Sequence, residues 1–159
     1  FDFDEDSIKS ANANDLVYEI AKGKAAYYLK RYPFDMPFVV ADTVVSVRGK
    51  ILGKAHSVNE AREMLRLQSA NSVSIITCMI YKSKNLEFTD LSAALYEFDS
   101  FKNSDIEIYL KSGEWQGKAG ACMVEGFCKP YIKSVVGLES TAMGLSIEKL
   151  LPFLERESA

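Results

Sequence analysis

The first part of the chain carries apolar residues at helical spacing. Over residues 14–31, positions four apart form one apolar line, which Lys24 interrupts. This spacing predicts a helix, and the Tyr32-Pro33 step ends it because proline disfavours helical geometry in the preceding residue. A lysine on an apolar line either extends its ammonium to solvent or has an acidic partner.

Continuous or alternating apolar runs predict the strands. They cover residues 38–47, 73–81, 86–98 and 131–136, with a short return strand at 51–52 after a turn at 48–50. Asp42 lies inside the first run, where aspartate is disfavoured. A buried carboxylate must be paired, metal-bound or protonated, unless it caps a neighbouring loop. Asp42 is therefore the first candidate functional residue.

Two capping boxes predict where further helices begin. Ser57-Val58-Asn59-Glu60 and Ser104-Asp105-Ile106-Glu107 each place a serine three residues before a glutamate. A last helix is expected over residues 146–155. Because helices and strands alternate along residues 1–159, we expect a single α/β layered domain.

Composition and charge exclude several functional classes. The net charge of −3 gives no large basic surface, so nucleic acid is not an expected partner. No apolar run reaches the roughly 18 residues of a membrane span, and no signal-peptide pattern is present. Cys78, Cys122 and Cys128 form no CxxC motif, and His56 is the single histidine, which argues against a zinc site. Three reduced thiols are typical of the cytoplasm, so we expect that location and no membrane partner.

Two lysines lie in loops that contain glycine. The stretch GKILGKA (49–55) is superficially similar to a phosphate loop, but its glycines are too close and it ends in alanine, which excludes a Walker site. Lys54 remains as a cation ahead of a capped helix. Lys118 lies between Gly117 and Gly120, which permit close approach of the backbone to a ligand.

These residue types together indicate phosphate chemistry with a divalent cation. A carboxylate such as Asp42 holds Mg²⁺ or Mn²⁺, and lysines neutralise phosphate oxygens. The acidic start, with Asp2, Asp4, Glu5 and Asp6, adds candidate carboxylates, although charge runs are more often solvated. Each residue also has a purely structural interpretation, and the pattern alone does not determine that they converge.

A set of motifs gives the chain a resemblance to a known family. The motifs are ADTVV (41–45), ILGKA (51–55) leading into NEAREML (59–65), DIEIYLKSGEWQGKAG (105–120) and VVGL (135–138). In this order and spacing they resemble the Maf family of nucleoside triphosphate pyrophosphatases. The resemblance extends from about Phe3 to Leu154. It implies an elongated α/β domain with mixed β-sheets flanked by helices and a cleft between two lobes, as in inosine triphosphate pyrophosphatases.

The resemblance also implies an activity. The expected reaction is hydrolysis of a nucleoside triphosphate between its α and β phosphates, with Mg²⁺ or Mn²⁺, to a monophosphate and pyrophosphate. Such a hydrolase has a house-cleaning role in nucleotide metabolism, and a homodimer is common. Family members are also associated with septum formation. The alternative function is therefore a non-catalytic regulator of cell division that binds nucleotide or a protein partner.

The resemblance assigns roles to the anomalous residues by position. Asp42 is the expected general base, acting on water directly or through the metal. Glu5 is the expected assisting acid, and both carboxylates are expected metal ligands. Lys24, Lys54 and Lys118 match the phosphate-binding lysines of the family.

Substrate specificity is expected at Thr43 and Glu125. Thr43 resembles the branch acting on dTTP and UTP, whereas Glu125 resembles the branch acting on 7-methyl-GTP. An ionised glutamate accepts hydrogen bonds but donates none, so the preferred base stays open between dTTP or UTP and modified nucleotides. The chain starts after the first strand and SxSxRR segment of the family, so we expect it to lack those phosphate-binding donors.

Overall fold

The structure, a computed structural model, describes residues 3–157, so Asp2 of the acidic start lies outside it. The described α-helices are α1 (Ala13–Arg31), α2 (Val58–Gln68), α3 (Asn103–Ser112), α4 (Glu139–Ala142) and α5 (Ile147–Glu157). The strands are β1 (Phe38–Val47), β2 (Lys50–Leu52), β3 (Ser72–Lys82), β4 (Glu87–Phe98) and β5 (Ile132–Val136). They form one sheet in the order β2-β1-β3-β4-β5. The α/β class is confirmed, and each predicted strand is observed.

All strand pairs in this sheet are antiparallel, which corrects the expectation of mixed sheets. For two of the pairs, β1–β2 and β3–β4, a short connection is the physical reason. Arg48 and Gly49, with φ angles of 50° and 77°, join β1 to β2 in a tight turn. Residues 83–86 join β3 to β4. Turns this short connect only antiparallel strands, because parallel neighbours need a crossover of about a dozen residues or more.

Helices cover both faces of the sheet. Val17 and Ala25 of α1 pack against Val44 on one face. Val45 belongs to the core on the other face, where Leu65 of α2 also packs. Adjacent residues of β1 thus belong to different cores, because side chains alternate along a strand. This two-sided burial explains why β1 reads as an almost continuous apolar run.

One predicted capping box is confirmed at its serine, and the other is wrong. Ser57 Oγ accepts a hydrogen bond from Glu60 N at 3.2 Å at the start of α2, while Glu60 Oε2 accepts from His56 N, at 2.7 Å, rather than from Ser57 N. In contrast, α3 starts after Lys102, whose side chain makes no capping hydrogen bond. Ser104 lies inside the first turn and donates to Asp105 at 3.0 Å. Glu107 is bound by Arg62 at 2.6 Å instead of reaching back to the helix start.

The C-terminal part contains a helix that the sequence pattern did not predict. α4 spans only four residues, too few for a hydrophobic period to be recognised. The helix after it was predicted, and Leu150 of α5 packs against Met79 and Tyr81 of β3. Within residues 3–157, no helix has both the length and the apolar character needed to cross a membrane.

Candidate active site

The edge of β1 is open beside Asp42. β2 pairs with β1 only from Val45 to Val47, so no described strand covers that edge over residues 38–44. Successive side chains of a strand point to opposite faces, but both faces can be reached from an open edge. Asp42 and Thr43 therefore line the same pocket although they belong to opposite faces of the sheet.

Lys24 joins the two acidic candidates. Its Nζ lies 2.7 Å from Asp42 Oδ1 and 2.8 Å from Glu5 Oε1. It also donates to the carbonyl of Ala41, at 3.3 Å, on the open edge of β1. Lys54 Nζ binds the other oxygen of Glu5, Oε2, at 2.6 Å. We call this series, Lys54–Glu5–Lys24–Asp42, the ion-pair chain. It explains why a lysine and an aspartate occupy apolar patterns: they are partners.

Glu5 reaches the ion-pair chain because the N-terminal segment packs against α1. Gly23 leaves space for the ring of Phe3, since a Cβ at Gly23 would lie only 2.5 Å from the ring Cζ. The segment then turns at Glu5–Ser7, where Ile8 N donates to Glu5 O at 3.2 Å. The packing of Phe3 on α1 therefore directs Glu5 to Lys24.

The two carboxyls of the ion-pair chain have pKa values shifted in opposite directions. Burial raises the pKa of Asp42, and the hydrogen bond from Lys24 offsets only part of this effect. Burial also acts to raise the pKa of Glu5, but hydrogen bonds from Lys24 and Lys54 outweigh it and lower that pKa. Burial opposes the charge of Lys24, yet Asp42 and Glu5 raise its pKa. The two carboxyls therefore differ: Asp42 is suited to accept a proton, and Glu5 stays anionic.

The loop after β2 lies against the segment that carries Lys118. Gly120 N donates to Gly53 O at 2.7 Å. The adjacent residues Lys54 and Ala119 form an isolated antiparallel bridge. These backbone contacts bring Lys54 and Lys118 to one pocket although they are distant in sequence.

Lys118 forms an ion pair with the predicted specificity residue Glu125. Their Nζ and Oε1 atoms are 3.5 Å apart, and the side chains are 40% and 26% exposed. A pair with this exposure is worth about 1 kcal/mol or less. A bound phosphate can therefore replace Glu125 as the partner of Lys118 at little cost.

Gly120→Ala is expected to lower the free energy of unfolding by about 1–3 kcal/mol. A Cβ at this position would lie 3.0 Å from Val45 and 3.2 Å from Gln68 Nε2, and the φ angle is +61°. Urea denaturation measures the change. The matched control is Gly117→Ala, whose φ is +75° but whose Cβ would have no neighbour within 4 Å. Equal losses in both variants would contradict the steric part of this prediction.

Two adjoining pockets contain every predicted site residue. The first pocket, of about 270 Å³, is lined by the predicted residues Lys24, Asp42, Thr43, Lys54, Lys118 and Glu125. The second, of about 590 Å³, is lined by Glu5 and shares Asp42, Thr43 and Lys54 with the first. Ligand pockets typically measure roughly 300–1,000 Å³. The predicted residues thus lie together, while their catalytic and binding roles stay predictions.

Sequence reasoning missed one wall of the first pocket. Residues 142–144, at and just after the end of α4, line it. It also missed Thr77 of β3, a buried residue whose Oγ1 lies 2.7 Å from Oγ1 of Thr43. A signal for Thr77 was present, because it is a polar residue inside the apolar run 73–81, as Asp42 is in β1. No comparable signal marked residues 142–144.

The carboxylates of the ion-pair chain suit a metal that is shared with a ligand. Asp42 and Glu5 each place an oxygen within 2.8 Å of Lys24 Nζ, so they converge on one point. In the part of the chain that the structure describes, no group of three or more His, Cys, Asp or Glu could hold a metal. Mg²⁺ is usually bound by one or two carboxylates together with waters and substrate phosphates. Mg²⁺ therefore fits this donor set when a phosphate completes it.

Comparisons with known proteins agree with the sequence motifs. The family model described as Maf-like protein matches residues 1–157. A nucleoside triphosphate pyrophosphatase of Nitratiruptor sp. is 52% identical over 151 residues, which cover 94% of this chain and 82% of that protein. One of Helicobacter pylori is 40% identical, with 96% and 80% covered. A dTTP/UTP pyrophosphatase of Pyrococcus furiosus is 31% identical, with 95% and 79% covered. On this match and these identities, the chain belongs to the family of Maf-like proteins.

Proposed function

We propose that this protein is a nucleoside triphosphate pyrophosphatase, a hydrolase that cleaves the bond between the α and β phosphates. The observation that carries the proposal is the ion-pair chain: Asp42, with a raised pKa, lies against Lys24 in a pocket with two further lysines. The names of the relatives from Nitratiruptor sp. and Helicobacter pylori support the same reaction.

Asp42 is suited to the role of general base. A water that attacks the α phosphorus must lose a proton as its oxygen forms the new bond and the bridging oxygen leaves with pyrophosphate. The raised pKa of Asp42 makes this carboxylate a better proton acceptor than an exposed aspartate. Lys24 holds Asp42 by Oδ1, at 2.7 Å, and so fixes its orientation.

The lysines are suited to stabilise the charge that develops on the phosphates. Lys24, Lys54 and Lys118 line the first pocket together. All three are bound to Glu5 or Glu125, with Lys24 at 2.8 Å, Lys54 at 2.6 Å and Lys118 at 3.5 Å from a carboxylate oxygen. Phosphate oxygens replace these contacts with equivalent ones, so the cations are positioned before the substrate arrives. Pre-positioned charges of this kind usually supply the largest single contribution to catalysis.

Asp42 and Glu5 would hold Mg²⁺ or Mn²⁺ together with the substrate. The bound ion would supply charge neutralisation and polarisation of a phosphoryl oxygen. Glu5 is suited to this role because its lowered pKa keeps it anionic. A metal at Glu5 would take the place of its contacts with Lys24 and Lys54, at 2.8 Å and 2.6 Å, and would leave both lysines for the triphosphate.

The substrate base is expected at the end of the first pocket that contains Thr43 and Glu125. Both side chains line it, together with residues 142–144. The relative of Pyrococcus furiosus is named for dTTP and UTP, and we propose either these nucleotides or modified nucleotides as substrates. Thr43 and Glu125 would then decide between them.

Pyrophosphate release is the direct test of this function. With Mg²⁺ or Mn²⁺, a panel of dTTP, UTP, 7-methyl-GTP and the four common ribonucleoside triphosphates is expected to yield monophosphate and pyrophosphate from at least one member. Chelation of the metal should abolish the reaction, and added Mg²⁺ should restore it. Diphosphate and orthophosphate as products would contradict the proposed bond, and no product from any member would contradict the function.

We also propose that the protein acts in the cytoplasm. Cys78, Cys122 and Cys128 are all free and buried, as expected for a reducing compartment. The homodimer and the cell-division partner implied by the family resemblance stay predictions. A house-cleaning role, in which non-standard nucleotides are removed, is consistent with the proposed reaction.

A further inference from the structure

Thr77 forms a hydrogen-bonded link between the first pocket and the end of α4. It lies in the middle of β3, directly opposite Thr43 of β1, and has no exposed surface. Its Oγ1 donates to the carbonyl of Thr141 at 2.7 Å. The same Oγ1 lies 2.7 Å from Oγ1 of Thr43, which lines the pocket.

The direction of the hydrogen bond between Thr43 and Thr77 follows from proton counting. A threonine hydroxyl has one proton to donate. The carbonyl of Thr141 can only accept, so the proton of Thr77 lies on that bond. Thr77 must then accept from Thr43. The proton of Thr43 points away from the pocket, and its hydroxyl can offer the pocket only lone pairs.

Gly144, just after the end of α4, lies close to the hydroxyl of Thr43. Gly144 N also donates to the carbonyl of Thr141, at 3.1 Å. Gly144 has a φ of +100°, and a Cβ on it would lie 3.4 Å from Thr43 Oγ1. Thr77 and Gly144 thus donate to the same carbonyl, and both lie beside the hydroxyl of Thr43. Rotation of that hydroxyl would break its part-buried hydrogen bond to Thr77.

We propose that Thr77 is a positioning residue for substrate recognition, because it makes Thr43 a hydrogen-bond acceptor toward the pocket. The inference rests on the proposed function, in which a nucleotide occupies this pocket. The base that fits carries a ring N–H donor where it meets Thr43. Glu125, which lines the same pocket, also accepts only when ionised. Neither residue then matches a base that presents a lone pair.

Substrate pairs that differ in this one feature provide the test. UTP and GTP carry a ring N–H at positions where CTP and ATP carry a ring nitrogen lone pair. The measurement is kcat/KM for both pairs with the wild type, Thr77→Val and Thr77→Ser. We expect the wild type to favour the N–H member, and Thr77→Val to reduce that preference about tenfold, the value of one hydrogen bond. Thr77→Ser keeps the hydroxyl and should keep the preference, and the change should appear in KM more than in kcat.

Ser146→Ala is the matched control. Ser146 belongs to the same buried hydroxyl cluster, since its Oγ lies 2.9 Å from Thr141 Oγ1 and 3.4 Å from Ser92 Oγ. Its hydroxyl bonds to Thr141 and Ser92 rather than to Thr43 or Thr77, so its loss should lower stability without altering the substrate preference. Thermal unfolding of each variant separates loss of structure from loss of recognition.

Several outcomes would overturn the inference. A wild type that favours CTP over UTP and ATP over GTP would contradict the acceptor orientation of Thr43, whether or not the variants fold. An unchanged preference in Thr77→Val, or an equal loss in Thr77→Ser, would reduce Thr77 to a packing role. If the wild type hydrolyses no triphosphate, the proposed function fails. The inference is then decided by calorimetric binding of the same pairs as α,β-methylene triphosphates.

Discussion

Asp42→Asn is expected to reduce turnover by roughly 10²- to 10⁴-fold while nucleotide binding persists. Asparagine has nearly the same shape as aspartate but cannot take the proton from the attacking water. The lysines that bind phosphate stay in place, so the dissociation constant of the nucleotide should change much less than kcat. Pyrophosphate release measures kcat, and calorimetry measures the dissociation constant of the nucleotide.

The pH profile of the wild type provides an independent check on Asp42. Because burial raises the pKa of Asp42, the acid limb of kcat/KM should lie above the ordinary range of an aspartate. Activity should fall as the pH falls through that pKa, since the base must be deprotonated. Asp99→Asn is a suitable control, because Asp99 is exposed and its oxygen lies 4.0 Å from Lys133.

Asp42→Asn also separates the two functional classes. An active wild type and an inactive, nucleotide-binding variant support the hydrolase. A wild type that binds nucleotide but never turns over would favour the regulatory alternative. Retention of full activity in Asp42→Asn would contradict the general-base role itself.

Lys24→Met is expected to reduce both activity and stability. The catalytic loss should be roughly 10²- to 10³-fold, as for removal of one donor that stabilises developing charge. The variant also leaves Asp42 without its cation. Because the pair is partly buried and lines a pocket, we expect a loss of about 1–3 kcal/mol of unfolding free energy. Urea denaturation at neutral pH measures the loss.

The stability loss in Lys24→Met should depend on pH. Glu5 has a lowered pKa in the folded protein, so its contribution is present above its unfolded pKa and disappears as the pH falls through the folded one. The raised pKa of Lys24 gives a contribution that is fully present at neutral pH. Asp42, whose pKa burial raises, loses its cation in Lys24→Met, so its ionised form destabilises the variant most at neutral pH. The difference between wild type and Lys24→Met should therefore be largest at about pH 7 and shrink as the pH falls and first Asp42, then Glu5, becomes protonated.

Lys30→Met is the matched control for Lys24→Met. Lys30 belongs to the same helix, α1, but is exposed. Its replacement should change the unfolding free energy by no more than about 0.5 kcal/mol. If Lys24→Met behaves like Lys30→Met in both assays, the ion-pair chain has no catalytic or stabilising role.

Much of the secondary structure could be predicted because it depends on local patterns. The period of apolar residues marked α1, and the apolar runs marked the strands from β1 to β5. The patterns failed where a side chain had a competing partner or where an element was too short. Glu107 binds Arg62 instead of forming a capping box, and α4 has only four residues.

Part of the site could be predicted for a related reason. A charged residue inside an apolar pattern conflicts with burial, so Asp42 and Lys24 were visible as anomalies without a structure. Lys54 and Lys118 were weaker signals, because a lysine in a loop is ordinary. Thr77 is also a polar residue inside an apolar run, as Asp42 is. The free-energy cost of burying a hydroxyl is smaller than that of burying a charge, so this signal is weaker.

The sequence by itself determined the α/β class, the strands of the sheet, the resemblance to the Maf family and the anomalous charges. Only the tertiary structure decided which of those charges are partners. Lys24 meets Asp42 because α1 packs across β1, and Lys54 approaches Lys118 because a loop pairs with a distant segment. The tertiary structure also decided the direction of the hydrogen bond from Thr43 to Thr77, since that depends on the carbonyl of Thr141. Local patterns record the preferences of neighbouring residues, whereas ion pairs and shared protons depend on distances between residues far apart in the chain.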